Sequence, residues 1–252
     1  MWRLVVALVA AVWFLPSPTW AAVALSGVAD WDIQVGSSST MVYTSTGTTF
    51  TGGRLVEGVV RWRGETQSVS SIVDNKGNTY TIVDDVQVNS DRAVSFYKAN
   101  ISGGSDPQFT ITFSGAVTLR TLGFREVSGA DTSSPLAAHA ANAQATPGSG
   151  TNAITSTAAT PSTSNCLISG WSVGGTIDHA AGTGFTRDAA IGSPAGETVA
   201  AEHLVQGAAA SIAATFTEEG TTGDVLTFMM AFKEPGAGGA TTRNLMLMGV
   251  GK

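Results

Sequence analysis

The five residues Gly170-Trp171-Ser172-Val173-Gly174 fit the G-x-S-x-G pattern of a serine nucleophile. In a hydrolase that serine sits on a sharp strand-to-helix turn, beside an oxyanion hole, with an imidazole base steadied by an acid. Asp178, followed by His179 or His203, supplies those partners in a workable chain order. The surroundings of Ser172 read as a strand that runs into the loop Gly174-Gly175-Thr176, and no helical pattern follows. The elbow therefore lacks half of the geometry that its chemistry needs.

Paired carboxylates are the next candidates. A glycosidase needs two, about 5 to 10 Å apart across the scissile bond. Glu57 and Glu126 stand out because each interrupts an apolar strand, while Asp84, Asp85, Glu197 and Glu202 are further acids. Sugar sites also expose aromatic rings, and Trp62 and Trp171 read as core, which leaves Trp31. Calcium is the one ion that the spacing leaves open, through Asp30 and Asp32 or through Asp74 in Asp74-Asn75-Lys76-Gly77-Asn78. A full site wants six to eight oxygens and no EF-hand loop is present. The bland reading of 74–78 is a hairpin turn with Gly77 at positive φ. His139, His179 and His203 lack zinc spacing, and the single Cys166 makes neither a disulfide nor a thiolate metal site. No other cofactor is expected.

The elements that must position these residues are strands. After residue 22 the apolar pattern has period two and is broken by Gly, Asn, Asp and Ser at intervals of roughly 8 to 12 residues. Val56, Gly58, Val60 and Trp62 share one face of a strand, and Leu55, Glu57, Val59 and Arg61 the other. Phe109, Ile111 and Phe113 alternate with Thr110 and Thr112, a strand with a hydroxyl-bearing outer face. Further strands are expected over 79–88, 93–99, 117–124, 167–173, 198–205, 211–217 and 225–232. The fold class is thus all-β, an antiparallel β-sandwich of jelly-roll or Ig-like type with about ten to twelve strands. One short helix could start at Ser134-Pro135-Leu136, in the Ala-rich stretch 131–152, which reads mainly as a long crossing connection. It separates two loosely similar halves, 23–130 and 150–235, each with a Trp-bearing strand and a late Phe-Thr strand. Generic sandwich grammar accounts for that likeness more simply than duplication.

Several stretches carry a resemblance. They are Val69 with 70–80, Phe96-Tyr97, Phe109 to Ser114, Glu126 to Leu136 and Ala231-Phe232-Lys233. Together they resemble a recurrent, largely uncharacterised β-sandwich module of secreted bacterial proteins and phage structural proteins, over about residues 23 to 235. The resemblance implies a fold and no catalytic residues. Such modules often carry an aromatic before the last strand, where Asp224, Val225 and Leu226 stand here.

The two ends differ from the body, 22–235. Met1-Trp2-Arg3, the apolar run 4–15 and the break Pro16-Ser17-Pro18 read as a secretory signal peptide over 1–21. Its apolar run is too short to span a ~30 Å bilayer, and no segment of the mature chain reads as a membrane span. At the other end, 236–252 joins a Gly-rich linker to the apolar segment Asn244-Leu245-Met246-Leu247-Met248-Gly249-Val250. Leu245, Met246, Leu247, Met248 and Val250 could add as a strand to a neighbour's sheet edge, giving self-association.

Composition narrows the function. The chain has 252 residues, 13% charged, 43% hydrophobic, with net charge −6 and no basic run. A nucleic-acid partner is therefore not expected. The first reading is an exported, non-catalytic module for binding, adhesion or extracellular assembly, located outside the cell, at its surface or in a periplasm. Its partner would be a glycan, a cell-surface ligand or another copy. An extracellular hydrolase, esterase or glycosidase, is the second reading. A phage virion component is the third, carried by the resemblance and opposed by the leader.

Overall fold

The structure, a computed structural model, describes residues 21–64, 66–145, 151–175, 178–188, 198–219 and 223–236. Of the stretch expected to be a signal peptide, residues 1–20 lie, like the apolar segment 244–250, outside the described residues. Within them the chain is an all-β antiparallel sandwich with seventeen strand segments and no helix.

The first nine are β1 (Ala24–Gln34), β2 (Ser38–Thr44), β3 (Thr49–Phe50), β4 (Leu55–Arg63), β5 (Val69–Asp74), β6 (Thr81–Val88), β7 (Asp91–Lys98), β8 (Gly104–Ser105) and β9 (Gln108–Ser128). β9 holds this half together because it serves two sheets. Its first part pairs with β2 and β5, and its second part with β1 and β4. The switch falls near Leu119, a non-glycine at φ 48°. The outcome is a small sheet β2-β9-β5 over a larger sheet β1-β9-β4-β7-β6. Phe109, Ile111 and Phe113 from the first meet Val56, Val60, Trp62, Phe96, Leu122 and Phe124 from the second.

The remaining strands are β10 (Leu136–Gln144), β11 (Thr151–Thr155), β12 (Cys166–Gly174), β13 (His179–Ala181), β14 (Thr186–Arg187), β15 (Val199–Gln206), β16 (Thr215–Glu219) and β17 (Val225–Lys233). They form the sheets β10-β17-β12-β15-β14 and β11-β16-β13. This order repeats the first half strand for strand, with β16 and β17 in the roles of the two parts of β9. Even the short β3–β8 ladder has a counterpart in the bridge Ala159–Ile212. The two halves share one connectivity, a regularity that generic sandwich grammar does not require.

The sheets stack in four layers: β2-β9-β5, β1-β9-β4-β7-β6, β10-β17-β12-β15-β14, and β11-β16-β13. Between the middle two, Leu55, Val59 and Val127 pack on Leu167, Trp171, Val173, Phe228, Met230 and Phe232. Between the last two, Ile168, Met229 and Ala231 pack on Ile154 and Phe216. The middle sheets are therefore covered on both faces, and β12 is buried at every position. That explains why apolar residues fall on both faces of β12 and β17, where alternation fails as a signal.

Two expectations are corrected. The stretch 134–143 is no helix, and 131–152 is no mere connection, because Leu136–Gln144 is strand β10. Its ladder with β17 runs from Leu136↔Phe232 to Gln144↔Val225 and overrides the helix preference of its alanines. The strand count also exceeds ten to twelve, since β3, β8, β13 and β14 hold two or three residues each, too few to show a period.

Glycine sets the spacing of the middle layers. A Cβ on Gly123 would lie 2.8 Å from both Trp171 Cζ3 and Val199 Cγ1 of the opposite sheet. Gly123→Ala should therefore lower stability by about 1–3 kcal/mol in urea unfolding. Gly207→Ala, whose methyl would meet nothing within 4 Å, should leave the midpoint nearly unchanged. Equal effects would show that the layers do not press together at Gly123.

Candidate functional site

A charged side chain in a strand buried on both faces must find its partners inside the protein. Arg125 of β9 faces the third layer, 1% exposed. Its Nε donates to Glu57 Oε1 at 2.5 Å. Its Nη2 donates to Ser169 Oγ at 2.6 Å and to the Glu202 carbonyl at 3.0 Å. Its Nη1 pairs with Asp188, and the guanidinium stacks on Trp171 at 4.9 Å from the ring centroid. Glu57 completes its shell with Ser169 Oγ at 2.8 Å and Trp171 Nε1 at 2.6 Å. Asp188 also meets His203 Nδ1 at 2.6 Å. Burial, then the nearby Arg125 charge, pushes the His203 pKa down. On the same sheet, Arg61 donates to Asp91 at 2.8 Å, both buried.

A cleft of about 170 Å³ opens onto this cluster, lined by Leu25, Gly27, Val28, Ala29, Arg125 and Asp188. It arises where β1 slips its register against β9 between Leu25 and Ala29. Its walls are mainly apolar and its base is an ion pair already made. That volume suits one side chain and falls below the roughly 300–1,000 Å³ of small-molecule sites.

The esterase reading offered His179 or His203 as the base, and neither bonds Ser172: His179, buried on the fourth sheet, has no hydrogen-bond partner at either ring nitrogen. Ser172 and His203 point to opposite faces of the third sheet. His203 stands across from Ser169, on the face of Glu57, whereas Ser172 stands across from Ala200, on the face of the fourth sheet. Asp178 pairs instead with Arg187. Ser172 lies mid-strand, with no partner for its Oγ. The two carboxylates of the glycosidase reading are also separated. Glu57 faces Arg125 and the third layer. Glu126, one residue along β9, points from the other face and accepts from Thr51 N at 2.6 Å, Ser26 Oγ at 2.7 Å and Arg54 Nη1 at 2.8 Å. Asp84 holds His139 at 2.9 Å and Asp85 holds Arg92 at 2.6 Å; Glu197 lies outside the described residues.

The calcium candidates are engaged within the protein. Asp74 Oδ1 accepts from the backbone of Lys76 and Asn78 at 2.9 and 3.0 Å. Its Oδ2 accepts from Asn78 Nδ2 and Tyr80 Oη, each at 2.8 Å. Gly77 closes this turn at φ 85°. Asp30 takes Tyr43 Oη at 2.5 Å and Ser45, and Asp32 takes Gln34 at 2.8 Å. Among the described residues no three His, Cys, Asp or Glu side chains converge as metal ligands.

The sequence reading missed a second polar region, in the second sandwich. Where Gly58 faces Phe96 across the β4–β7 ladder, Gly170 faces Glu202 across β12–β15. Where Val60 faces Leu122, Ser172 faces Thr227. The fourth sheet adds His179 and Glu218, cross-strand partners and both buried. Glu202 accepts from Gly182 N at 2.9 Å and Thr215 N at 2.8 Å. Ser172, Thr227, His179 and Glu218 have no hydrogen-bond partner for their side chains. Burial raises the Glu202 pKa to about 7, against its two N–H bonds and Arg125. Burial also raises Glu218 and pushes His179 down to about 4. The first half offered the only signal: polar letters in β12, β16 and β17 at positions where its own strands carry hydrocarbon. Arg125 and Asp188 were missed too, although an Arg-Glu pair inside an apolar strand marks a buried charge.

Compared with family models, with curated proteins and with solved structures, the chain finds no match in any of the three. The resemblance to the recurrent sandwich module therefore rests on its quoted turns and strands.

Arg125→Met should cost about 3–5 kcal/mol in urea unfolding, because it strands the Glu57 charge inside. Replacing both, Arg125→Met with Glu57→Met, should recover a large part of that loss. A loss under about 1 kcal/mol for the single change would mean the cluster does not hold the layers. Glu202 gives a signed pH effect. Its folded pKa of about 7 lies above its ordinary 4.5, so its stabilising contribution is whole below 4.5 and fades as pH rises through 7. Glu202→Gln should gain on the parent over that window in urea midpoints taken at successive pH. A constant difference would show that Glu202 titrates normally.

Proposed function

We propose that this chain is an exported, non-catalytic structural module that works through its surface, in binding or extracellular assembly. One observation carries the reading. The acids that sequence offered for hydrolysis, Glu57 and Glu126, each hold an arginine and two further donors, and they face opposite sides of one sheet. A glycosidase needs both on one side with room for a sugar between them. The serine reading lacks a formed nucleophile–base bond: strand alternation turns Ser172 away from His203, and neither Ser172 Oγ nor either nitrogen of His179 has a hydrogen-bond partner. The cleft at Arg125 fits a side chain at best, and a larger one of about 400 Å³, lined by Asp131, Thr163, Asn165, Lys233 and Glu234, holds none of the hydrolytic candidates.

The signal-like leader supports export, and the disulfide-free core is compatible with it. Cys166 is free and buried. No helix of the described residues is long and apolar enough to cross a membrane. Outer faces rich in Thr and Ser offer contact surfaces that carry few ions to desolvate, which suits association with other macromolecules.

The test is a screen of the purified chain against aryl esters and aryl glycosides, with Ser172→Ala and Glu57→Gln beside it. No turnover above the buffer rate is expected from any of them. Turnover by the parent that either substitution abolishes would establish a hydrolase and end this reading.

A further inference from the structure

Sheet edges carry unpaired backbone donors and acceptors, so proteins guard them with charges, bulges or covering segments. Most edges of this stack are guarded. β1 is broken by its register slip and carries Asp30 and Asp32. β6 carries Asp84 and Asp85 and lies against β10. β5 is covered by residues 78–80, with Tyr80 N on the Ile72 carbonyl at 2.9 Å. β10 and β11 cover one another through Gln144, which bonds Thr155 N and the Ala153 carbonyl. β13 and β14 hold three and two residues.

β2 differs. It is seven residues long and pairs on one side, with β9. Residues 33–53 contain no charge and no proline. Val35 and Val42, 72% and 47% exposed, are two of the three large apolar side chains left in solvent among the described residues. The Val42 carbonyl takes the Gln34 side-chain amide at 2.6 Å. It therefore points away from β9, and alternation sends the backbone groups of Thr40 and Thr44 the same way. A neutral amide on that edge is a partner an incoming strand can displace.

We propose that the free edge of β2 receives, as an added strand, the apolar segment 244–250 of a second copy of this chain. The proposal rests on the assembly reading above and names its site. The segment is seven residues long, like β2, and carries no charge, so pairing desolvates no ion. Its flanking Arg243 and Lys252 stay in water beside a chain of net charge −6. The donor is another copy because of reach. The described chain ends at Gly236, just past β17 in the third layer, on the flank where β17 lies against β6 and β7. β2 is in the first layer, on the opposite flank, beyond β1. Two layer spacings of about 10 Å and three strand spacings of about 4.8 Å put it roughly 25 Å away through the core, and further around it. The eight steps from 236 to 244 span at most about 29 Å. A chain's own tail would have to pass through its protein, whereas a neighbour's need not. Each copy then gives one strand and receives one, a head-to-tail contact that propagates.

The experiment is light scattering across a concentration series on the intact chain through Lys252. Beside it run a chain ending at Pro235, the variant Val42→Lys, and Val205→Lys as control, since Val205 is 53% exposed elsewhere. The intact chain and Val205→Lys should grow in mass with concentration. The shortened chain and Val42→Lys should stay monomeric, or need at least a tenfold higher concentration to assemble. A fluorescent peptide of residues 243–252 should bind the shortened chain and lose at least tenfold in affinity when that chain carries Val42→Lys. Circular dichroism confirms that each variant is folded. Assembly that needs the tail but ignores Val42→Lys would overturn the β2 site and leave the assembly reading standing. An intact chain that remains monomeric at every concentration would overturn both.

Discussion

The constraint on which this molecule depends is that the central strands of its two middle sheets have no solvent face. Every side chain of β12, and nearly every one of β4 and β17, is buried, so a polar one must find a partner inside or stay unpaired at a cost, as Ser172 and Thr227 do. Arg125 and Glu57 meet that demand together. Neither could be buried without the other, and Ser169, Trp171 and the Glu202 carbonyl fill the donor and acceptor positions that remain. Such a cluster adds little over hydrocarbon in stability, but its geometry admits one docking of the two halves, because a slid sheet would leave a charge unpaired. The ion pair thus works as a register between sandwiches, and Gly123 under Trp171 lets them close to that register.

The repeated connectivity shows where the two sandwiches differ in chemistry. The first is filled with aromatic rings, with Phe109 against Phe124 at 4.6 Å between centroids and Phe50 against both. The second replaces Phe96 by Glu202 and the pair Val60–Leu122 by Ser172–Thr227. The first core is held by hydrocarbon. The second contains the acids Glu202 and Glu218, whose pKa values burial raises, and the imidazole of His179, whose pKa burial lowers.

Residues chosen for catalysis by type turn out to be structural by position. Glu57, Glu126 and Asp74 drew attention because a carboxylate in an apolar strand or beside a Gly turn is unusual. It is unusual because it is costly, and the same cost can be met by a reaction or by an internal partner. All three have internal partners here. The exposed, uncharged edge of β2 pairs with no second strand among the described residues.

The sequence by itself determined the class of fold, the strand positions where period two is intact, and the turn at Asp74 to Asn78. These are local properties: alternation of side chains and the φ that a glycine permits act within a few residues. Tertiary structure alone decided which face each polar residue takes, that Leu136–Gln144 is a strand, and that Arg125 lies between layers rather than in water. Those outcomes depend on partners distant in the chain, as Glu57 depends on Arg125 and Trp171. A strand buried on both faces shows no alternation, so no local pattern could announce four layers instead of two.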